Sequence, residues 1–381
     1  MDNKKKVAIV YDRVNKWGGA ERVLLALHEI FPNAPLYTAV YDSKKAPWAS
    51  VFPKVVPSFL QKIPTLRNHH ELLGAFTPIA FETLDLTGTD LVISVTSEAA
   101  KGIITRPPTK HICYCLTPTR YLYSGYEDYL QNPPSKLNWI PFYKQVSKPF
   151  LSYARCWDQV AAQRPDKYVA ISTAVQKRIK KYYKRDSTII FPPVDINKFK
   201  SQNLKAKITS KNSKIENYYL MVGRLVPYKR VDLAIRAFNK LGDKLVVVGT
   251  GSEEKYLRSI AKENIEFKGF VSDEKVVSYF QNAKAFIYPQ EEDFGITAVE
   301  ARAAGCPVIA YKAGGVLDTV IDGKTGIFFD EQSVESLKNA ILRFRTLKFD
   351  KAEVVKNANR FSKERFQKEF LDFVKRNVYH N

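Results

Sequence analysis

Two glutamates near the start of a predicted helix are the residues whose spacing points most directly to chemistry. Glu292 lies in an acidic loop, and Glu300 follows eight positions later, beyond Gly295. An apolar run at residues 285–289 predicts a buried strand, and a helical pattern runs over residues 296–304. A helix start attracts anions, and carboxylates accept hydrogen bonds from neighbouring hydroxyls. The stretch therefore predicts a site in which one carboxylate binds the ribose and the other binds the hexose of a sugar nucleotide. The alternative is a solvated helix start, where acids are also favoured.

A second group of chemically useful residues follows a predicted strand at residues 218–222. Gly223 gives a tight turn, and Arg224 and Lys229 then precede a predicted helix that begins at Val231. A guanidinium fork and an ammonium point charge at this spacing suit a pyrophosphate. The competing interpretation is a basic surface loop.

Together these residues resemble the retaining glycosyltransferases of family 4, whose Glu-x7-Glu motif matches Glu292 and Glu300. The resemblance implies that Glu300 binds a nucleotide ribose and that Glu292 contacts the donor sugar. It places Arg224 and Lys229 on the diphosphate, and it implies catalytic roles for Arg224, Lys229 and Glu292. The other donor-binding residues that it implies are Gly18, Gly19, Gly223, Gly249, Gly251, Phe270, Phe294, Gly295, Ile296 and Thr297.

The first half of the chain carries weaker signals. Gly18 and Gly19 separate a predicted strand from a helix; this is either a mere tight turn or, by the resemblance, part of a ligand cleft. It is not the Gly-x-Gly-x-x-Gly dinucleotide fingerprint.

Residues 113–122 resemble a mannosyltransferase-like subgroup of family 4 that acts in surface polysaccharide synthesis. Many members of that subgroup have a histidine where this chain has Leu116. The role of that histidine is therefore not placed on any residue here. Arg120 and Tyr121 are the acceptor-side candidates, with a purely structural arginine as the alternative for Arg120.

Strand and helix patterns alternate, which predicts an α/β fold with parallel sheets, and 381 residues suit two domains. The resemblance specifies GT-B: two Rossmann-like domains that face across a cleft, with the C-terminal helix crossing back to the first. We expect an N-terminal acceptor-side domain at residues 1–191 and a nucleotide-sugar domain at 192–361. A C-terminal helix is expected at 362–381. A lysine-rich loop is expected at 200–214, after the prolines of the linker.

The net charge of +21 predicts a negatively charged partner, such as a phosphorylated substrate or an anionic membrane surface, or it serves only solubility. The basic and aromatic stretch at residues 136–155 suits either a bilayer interface or a helix packed over the first domain. No nucleic-acid motif accompanies the charge, so no nucleic-acid partner is expected. The short N-terminal apolar run and the four scattered cysteines favour a cytoplasmic protein, with a peripheral position at the inner membrane face as the open alternative.

The chain has no Asp-x-Asp, which agrees with the metal independence usual in the family, so no metal and no cofactor are expected. The expected partners are a sugar-nucleotide donor and a saccharide or lipid-linked saccharide acceptor. GDP-mannose is the first choice of donor, from the subgroup resemblance. A UDP-sugar with a soluble acceptor, as in sucrose-phosphate or phosphorylase-type enzymes, stays open. So does a binding-only pseudoenzyme, because of Leu116.

Overall fold

The computed structural model describes residues 5–63, 76–131, 142–199 and 217–379. The chain divides into two compact units, one formed by Met1–Pro192 with Phe366–Asn381 and the other by Pro193–Arg365. Each unit has its own parallel sheet with helices between the strands, which confirms the predicted α/β class. Residues 136–141 of the basic and aromatic stretch, and the lysine-rich loop at 200–214, lie outside the described residues.

The described part of the first unit forms a seven-stranded parallel sheet in the order β3-β2-β1-β4-β5-β6-β7. Its central strands are apolar runs that are buried on both faces, as expected when helices cover a parallel sheet. Ile9 and Ile93, for example, are in register on neighbouring strands and fully buried. The strands are β1 Val7–Tyr11, β2 Leu36–Thr38, β3 Val55–Pro57, β4 Leu91–Thr96, β5 Lys110–Cys115, β6 Lys167–Ala170 and β7 Thr188–Ile189.

The helices of the first unit bury one face each against this sheet or against one another. In the first of them, Val23, Leu24 and Leu27 form the buried stripe. The helices are α1 Gly19–Ile30, α2 Thr77–Glu82, α3 Tyr126–Gln131, α4 Tyr143–Ala161 and α5 Thr173–Arg178, with a π-helical turn at Ile179–Tyr183 and 3₁₀ turns at Pro47–Val51, Phe59–Lys62, Ala100–Gly102 and Arg120–Leu122.

The second unit contains a six-stranded parallel sheet, counted over its described residues, in the order β10-β9-β8-β11-β12-β13. The strands are β8 Tyr218–Val222, β9 Lys244–Val248, β10 Ile265–Gly269, β11 Phe286–Tyr288, β12 Val308–Tyr311 and β13 Gly326–Phe329. The helices are α6 Val231–Leu241, α7 Glu254–Ile260, α8 Asp273–Asn282, α9 Ile296–Ala303, α10 Val316–Thr319, α11 Val334–Arg345 and α12 Lys351–Ala358, with 3₁₀ turns at Pro227–Lys229 and Asn359–Phe361.

The last helix, α13 Lys363–Val374, continues into a π-helical turn at Lys375–Tyr379. From Phe366 onward it belongs to the first unit. The rings of Phe366 and Phe370 pack edge-on against Tyr114 of β5, with ring centroids 5.7 and 6.1 Å from it. The apolar stripe of the chain's end is thus buried in the core of the first unit.

In both sheets the strand order reverses direction beside the first strand of the unit. The reversal lies between β1 and β4 in the first sheet and between β8 and β11 in the second. Ligands of open parallel sheets bind outside the carboxyl ends of the strands at this point. Arg224 follows β8 and Glu292 follows β11, so the topology alone brings the two predicted groups of residues to one place.

Candidate functional site

Glu292 lies at the centre of the candidate site, in the loop between β11 and α9. The Lys229 ammonium forms an ion pair with Oε1 of Glu292, and the Tyr288 hydroxyl donates to its Oε2 at 2.7 Å. Both members of the ion pair are largely buried, with side chains 12% and 21% exposed. Burial, and then the neighbouring Glu292 charge, raise the pKa of Tyr288 well above its ordinary value. The phenol therefore stays a hydrogen-bond donor, and Glu292 is held at both oxygens.

The loop that carries Glu292 is fixed through its backbone as well. Gly315 donates its N–H to the carbonyl of Glu292 at 2.8 Å. A Cβ on Gly315 would lie 2.4 Å from the carbonyl oxygen of Asp293, so only glycine allows this approach. The glycine turn before α10 thus closes over the acidic loop.

Helix α9 begins at this loop with features of an anion or hydroxyl site. Gly295, at a φ of 87°, turns the chain into the helix. The first N–H groups of a helix have no partner within it and carry the positive end of the dipole. In that first turn, beside Ile296, the Thr297 Oγ1 atom is buried without a hydrogen-bond partner among the described residues. The helix start therefore presents donors and one unused hydroxyl at the same edge as Glu292.

Two aromatic residues predicted for donor binding have opposite environments. Phe294 is 4% exposed, and its ring packs against Phe361 with the centroids 5.7 Å apart. Phe270, just after β10, is 88% exposed. The ring of Phe294 thus packs in the core of the unit, whereas the ring of Phe270 is exposed and available to a ligand.

Glu300 lies further along α9 and is buried to 9% exposure. The helix that carries it is anchored by Arg302, which is fully buried. Arg302 donates to the carbonyl of Ala298 at 3.1 Å, to the carbonyl of Thr319 and to Oδ1 of Asn357. Burial lowers the pKa of Arg302 to about 9. Sequence reasoning missed Arg302, although an arginine amid the apolar residues of this helix was a signal.

The loop after β8 places the two predicted cations at the same edge. Arg224 donates from Nη2 to the hydroxyl of Tyr228 at 3.0 Å. The ammonium of Lys229 lies 5.4 Å from the centre of the Tyr228 ring. Tyr228 therefore contacts both cations, a role that the sequence did not indicate.

Two glycine contacts bring neighbouring loops against this segment. Gly223 donates its N–H to the carbonyl of Val248 at 3.0 Å. A Cβ on Gly249, whose φ is +134°, would lie 1.9 Å from the carbonyl oxygen of Gly223. A Cβ on Gly251 would lie 2.2 Å from the carbonyl oxygen of Leu225. The donor-site residues that the sequence predicts in the second unit therefore cluster at one edge of its sheet.

The other predicted residues, Gly18, Gly19, Arg120 and Tyr121, belong to the first unit. Gly18 and Gly19 form the start of α1, whose buried Glu21 accepts a hydrogen bond from the hydroxyl of Tyr11 at 2.8 Å. Arg120 is exposed, in the 3₁₀ turn that follows β5. Burial, and then the charges of Glu98 and Asp158, raise the pKa of Tyr121 well above its ordinary value.

Asp12 is the residue of the first unit that sequence reasoning missed. It follows β1 and is 5% exposed. Its carboxylate accepts hydrogen bonds from the Thr96 hydroxyl at 2.7 Å and from the four successive backbone N–H groups of residues 97–100 at 2.8–3.1 Å. The four backbone donors of residues 97–100, which would suit an anion, are therefore already taken by the protein's own carboxylate.

Arg13 and Glu98 form an ion pair beside Asp12, at the same edge of the first sheet. Leu116, where the subgroup has a histidine, is half-buried and donates its N–H to the carbonyl of Thr96 at 2.8 Å. Polar side chains therefore lie at this edge of the first sheet.

Neither a metal cluster nor a membrane span is found in the part of the chain that the structure describes. No group of three or more His, Cys, Asp or Glu side chains is placed to share a metal ion there. No helix among these residues is long and apolar enough to cross a bilayer.

Comparison with known proteins finds a family match over most of the second unit. Residues 203–364 match the family model described as glycosyl transferases group 1. An uncharacterized glycosyltransferase of Methanocaldococcus jannaschii is 27% identical over 215 residues, covering 55% of this chain and 58% of the relative. A GDP-mannose-dependent alpha-(1-6)-phosphatidylinositol monomannoside mannosyltransferase of Mycolicibacterium smegmatis is 32% identical over 138 residues, or 32% of this chain and 36% of that protein. The first relatives are matched over about half of their length.

Solved structures extend the likeness to nearly the whole chain. The structure of Anabaena HepE in complex with UDP aligns with 97% of this chain and 100% of the HepE chain, at 18% identity and a TM-score of 0.67. Sucrose-phosphate synthase from Thermosynechococcus elongatus aligns with 99% of this chain and 100% of its own chain, at 16% identity and a TM-score of 0.72. At such identities the likeness establishes the fold, and it confirms the predicted GT-B architecture. The chain has the GT-B fold, and its residues 203–364 are similar to the group 1 glycosyl transferases.

Proposed function

We propose that the protein is a retaining glycosyltransferase that moves a hexose from a sugar nucleotide to an acceptor hydroxyl. The observation that carries the proposal is the cluster at the switch point of the second sheet. There Lys229 pairs with Glu292, and Arg224 and the start of α9 lie at the same edge of the sheet. Cations and helix-start donors suit a diphosphate, and a fixed carboxylate suits sugar hydroxyls.

In this proposal the cations act on the leaving group. Cleavage of the anomeric C–O bond places negative charge on the diphosphate, and Arg224, Lys229 and the N–H groups of α9 stabilise that charge. Glu292 orients the hexose rather than attacking it, and its ion pair with Lys229 fixes both groups beforehand. Glu300 binds the ribose. The donor phosphate takes the proton of the acceptor hydroxyl, so no separate protein base is needed.

GDP-mannose is the donor that we propose. The support is the resemblance of residues 113–122 to a mannosyltransferase subgroup and the names of relatives such as the one from Mycolicibacterium smegmatis. The proposed acceptor is a saccharide or a lipid-linked saccharide in polysaccharide or glycolipid assembly, which the first unit binds with Arg120 and Tyr121 among its contacts. Because the Asp12 carboxylate occupies the N–H groups of residues 97–100, we expect those groups not to bind a phosphate of the acceptor.

Donor binding tests the proposal first. Thermal unfolding would be followed with GDP, GDP-mannose, UDP and UDP-glucose, for the wild type, Glu300→Gln and the control Glu263→Gln, an exposed glutamate of the second unit. A ligand at about 100 times its Kd stabilises the folded protein by about 2.7 kcal/mol. We expect guanine nucleotides to stabilise the wild type and the control, and Glu300→Gln to bind them at least about tenfold more weakly.

Turnover separates an enzyme from a binding-only protein. GDP release from GDP-mannose in the presence of lipid-linked saccharides would identify the enzyme and its donor. Stabilisation by uridine nucleotides alone would replace GDP-mannose with a UDP-sugar, and binding without turnover on any acceptor would leave a pseudoenzyme. A folded protein that none of the four nucleotides stabilises would contradict the donor site itself.

A further inference from the structure

Lys101 and Asp158 form an ion pair in the core of the first unit. Lys101 lies in the 3₁₀ turn after β4, Asp158 lies on α4, and each residue is 1% exposed. The Lys101 Nζ atom is 2.5 Å from Oδ1 of Asp158, and it also donates to the carbonyl of Glu98. A buried ion pair adds little net stability over apolar side chains of the same volume. What this pair does provide is a carboxylate held in one orientation.

Asp158 in turn binds both ends of the turn that follows β5. The Thr119 hydroxyl donates to its Oδ1 at 3.0 Å, and the Tyr123 hydroxyl donates to its Oδ2 at 2.9 Å. Between these two residues lies the 3₁₀ turn Arg120–Leu122. Residues 119–123, the β5 turn, are thus held at their first and last side chains by one carboxylate.

Helix α4 contacts the β5 turn through two further residues. Arg155 donates from Nε to the carbonyl of Leu122 at 2.8 Å, and Gln159 donates from Nε2 to the Tyr123 hydroxyl at 3.1 Å. The ring of Tyr123 also stacks on Tyr182 of the π-helical turn, with the centroids 4.6 Å apart. The end of the β5 turn therefore has a fixed backbone and a fixed side chain.

The protonation states of this network keep its bonds in place at neutral pH. Burial opposes the positive charge of Lys101, but the Asp158 carboxylate outweighs that effect and raises the pKa of the ammonium. Burial, and then the Asp158 charge, raise the pKa of Tyr123 above its ordinary value. The ammonium therefore stays charged, and the phenol stays a donor to the carboxylate.

We propose that Asp158 is a positioning residue for the acceptor saccharide. By holding both ends of the β5 turn, it fixes the exposed Arg120 and the neighbouring Tyr121 before the acceptor arrives. Less freedom is then lost when the acceptor binds. Asp158 is buried and acts only through the turn. The inference rests on the proposed function, because that proposal assigns Arg120 and Tyr121 to the acceptor.

Substitutions of the two hydroxyl donors test the inference and leave the ion pair intact. Asp158→Asn would leave the buried Lys101 without a counter-charge and endanger folding. Tyr123→Phe instead keeps the ring and removes one hydroxyl. Thr119→Val removes the other hydroxyl, and Thr119→Ser keeps it as the conservative counterpart.

The matched control is Glu82→Gln in the same unit. Glu82 also accepts from two side chains, from Trp157 at 2.8 Å and from Arg164 at 2.6 Å, and neither belongs to the β5 turn. Thermal unfolding with and without GDP shows whether each variant is folded and still binds the nucleotide. A general loss of structure in the first unit would therefore also appear in the control.

Initial rates of transfer measure KM for the acceptor and for the donor separately. The acceptor probes are octyl α-mannoside and octyl β-glucoside, replaced by lipid-linked saccharides where the wild type uses only those. The donor is GDP-mannose, or UDP-glucose where only uridine nucleotides bind. We expect Tyr123→Phe and Thr119→Val to raise the acceptor KM at least about fivefold and to leave the donor KM unchanged. Thr119→Ser and Glu82→Gln should behave as the wild type does.

An unchanged acceptor KM in Tyr123→Phe and Thr119→Val would overturn the inference and leave the proposed function standing, since the wild type would still transfer the sugar. An equal rise in Glu82→Gln, or a parallel rise in the donor KM, would also overturn it, because the effect would not be specific to the β5 turn. A wild type that transfers to none of these acceptors would instead contradict the proposed function, and the acceptor role of the turn with it.

Discussion

At the scale of single residues, the candidate site is organised by the two oxygens of Glu292. One pairs with the Lys229 ammonium and the other accepts from Tyr288 at 2.7 Å. Neither group alone fixes the carboxylate, since a single contact leaves it free to rotate. Held at both oxygens, Glu292 loses little further freedom when a ligand arrives, which is the advantage of a preorganised site.

Tyr288→Phe tests this arrangement. The variant keeps the ring in β11 and removes one hydrogen bond to a charged group, which contributes about 1.5–3 kcal/mol. Because Glu292 is proposed to contact the hexose, we expect affinity for GDP-mannose to fall roughly tenfold or more and affinity for GDP to stay nearly unchanged. Titration calorimetry with both ligands measures the difference.

The matched control for this variant is Tyr256→Phe, a half-exposed tyrosine of the same unit whose hydroxyl accepts from Arg236 at 2.9 Å. It should leave both affinities unchanged. An equal loss of GDP and GDP-mannose binding in Tyr288→Phe would mean that Glu292 does not distinguish the sugar, and the assigned role would have to be abandoned.

The sequence locates the charged residues of this site but not their partners. Glu292, Arg224 and Lys229 each follow an apolar run that ends in a turn, so type and spacing suffice to single them out. The ion pair between Lys229 and Glu292 joins positions 63 residues apart. It exists because β8 and β11 are neighbours in the sheet, and strand order is not contained in local patterning. Asp12 was missed for the same reason, since its partners follow β4.

At the scale of elements, the site depends on how closely three loops approach one another. The loop after β8 carries Arg224, and the loop after β9 lies directly against it. The contact is made by Gly249, where a Cβ would lie 1.9 Å from the carbonyl oxygen of Gly223. Gly249 in turn donates its N–H to the carbonyl of Gly269 at 2.8 Å. Any side chain at this position must therefore push the segment that holds Arg224.

Gly249→Ala should cost far more than another glycine substitution at positive φ. Gly249 combines a φ of +134° with the close contact, whereas a Cβ on Gly242, at the end of α6 with a φ of +76°, would meet no atom within 4 Å. We expect Gly249→Ala to destabilise the second unit by roughly 2–4 kcal/mol, from strain and overpacking. Gly242→Ala should cost about 1 kcal/mol.

Urea unfolding and GDP titration of both variants measure this difference. Because Gly249 supports the Arg224 segment, its variant should also bind GDP more weakly, while Gly242→Ala should bind it as the wild type does. Equal effects of the two substitutions on unfolding and on GDP binding would show that the loop after β8 can shift without loss of stability. Its close packing would then not position Arg224.

Element boundaries show how far local patterning predicts the fold. The strand at residues 218–222 is predicted at its observed position, because a continuous apolar run ends there at the turn residue Gly223. The strand predicted at 285–289 is shorter, Phe286–Tyr288, since its pairing with β12 covers only these three residues. For residues 136–155, the described part confirms that α4 packs one face on the unit, and binding to a bilayer stays a prediction.

At the scale of the whole molecule, the two units have separate sheets and separate apolar cores. The first core includes Val10 and Val92, and the second includes Phe238 and Ile287. Chains with more than one domain often depart from a single two-state transition. We therefore expect two unfolding transitions, of which GDP raises the one that belongs to the second unit.

Acid should destabilise the first unit more than the second, because the first unit contains a buried histidine. His111 on β5 is fully buried, with Nε2 lying 2.8 Å from the hydroxyl oxygen of Ser94. Burial, followed by the charges of Arg164 and Arg185, lowers the pKa of His111 to about 3. In the unfolded chain its pKa is about 6.5. Below that pH the unfolded state binds a proton that the folded state excludes, so stability falls as the pH falls from about 6.5 towards 3.

The expected loss for the first unit is about 2 kcal/mol between pH 7.5 and pH 5, because each pH unit in this window contributes up to about 1.4 kcal/mol. His111→Gln, which keeps a polar atom near Ser94 and cannot titrate, should remove most of that slope at some cost in stability at neutral pH. Urea unfolding at a series of pH values measures both proteins, and the GDP-sensitive transition serves as the internal reference because His111 lies outside the second unit. A slope that persists in His111→Gln would assign the acid sensitivity to other groups, and a single transition at every pH would show that the units unfold as one.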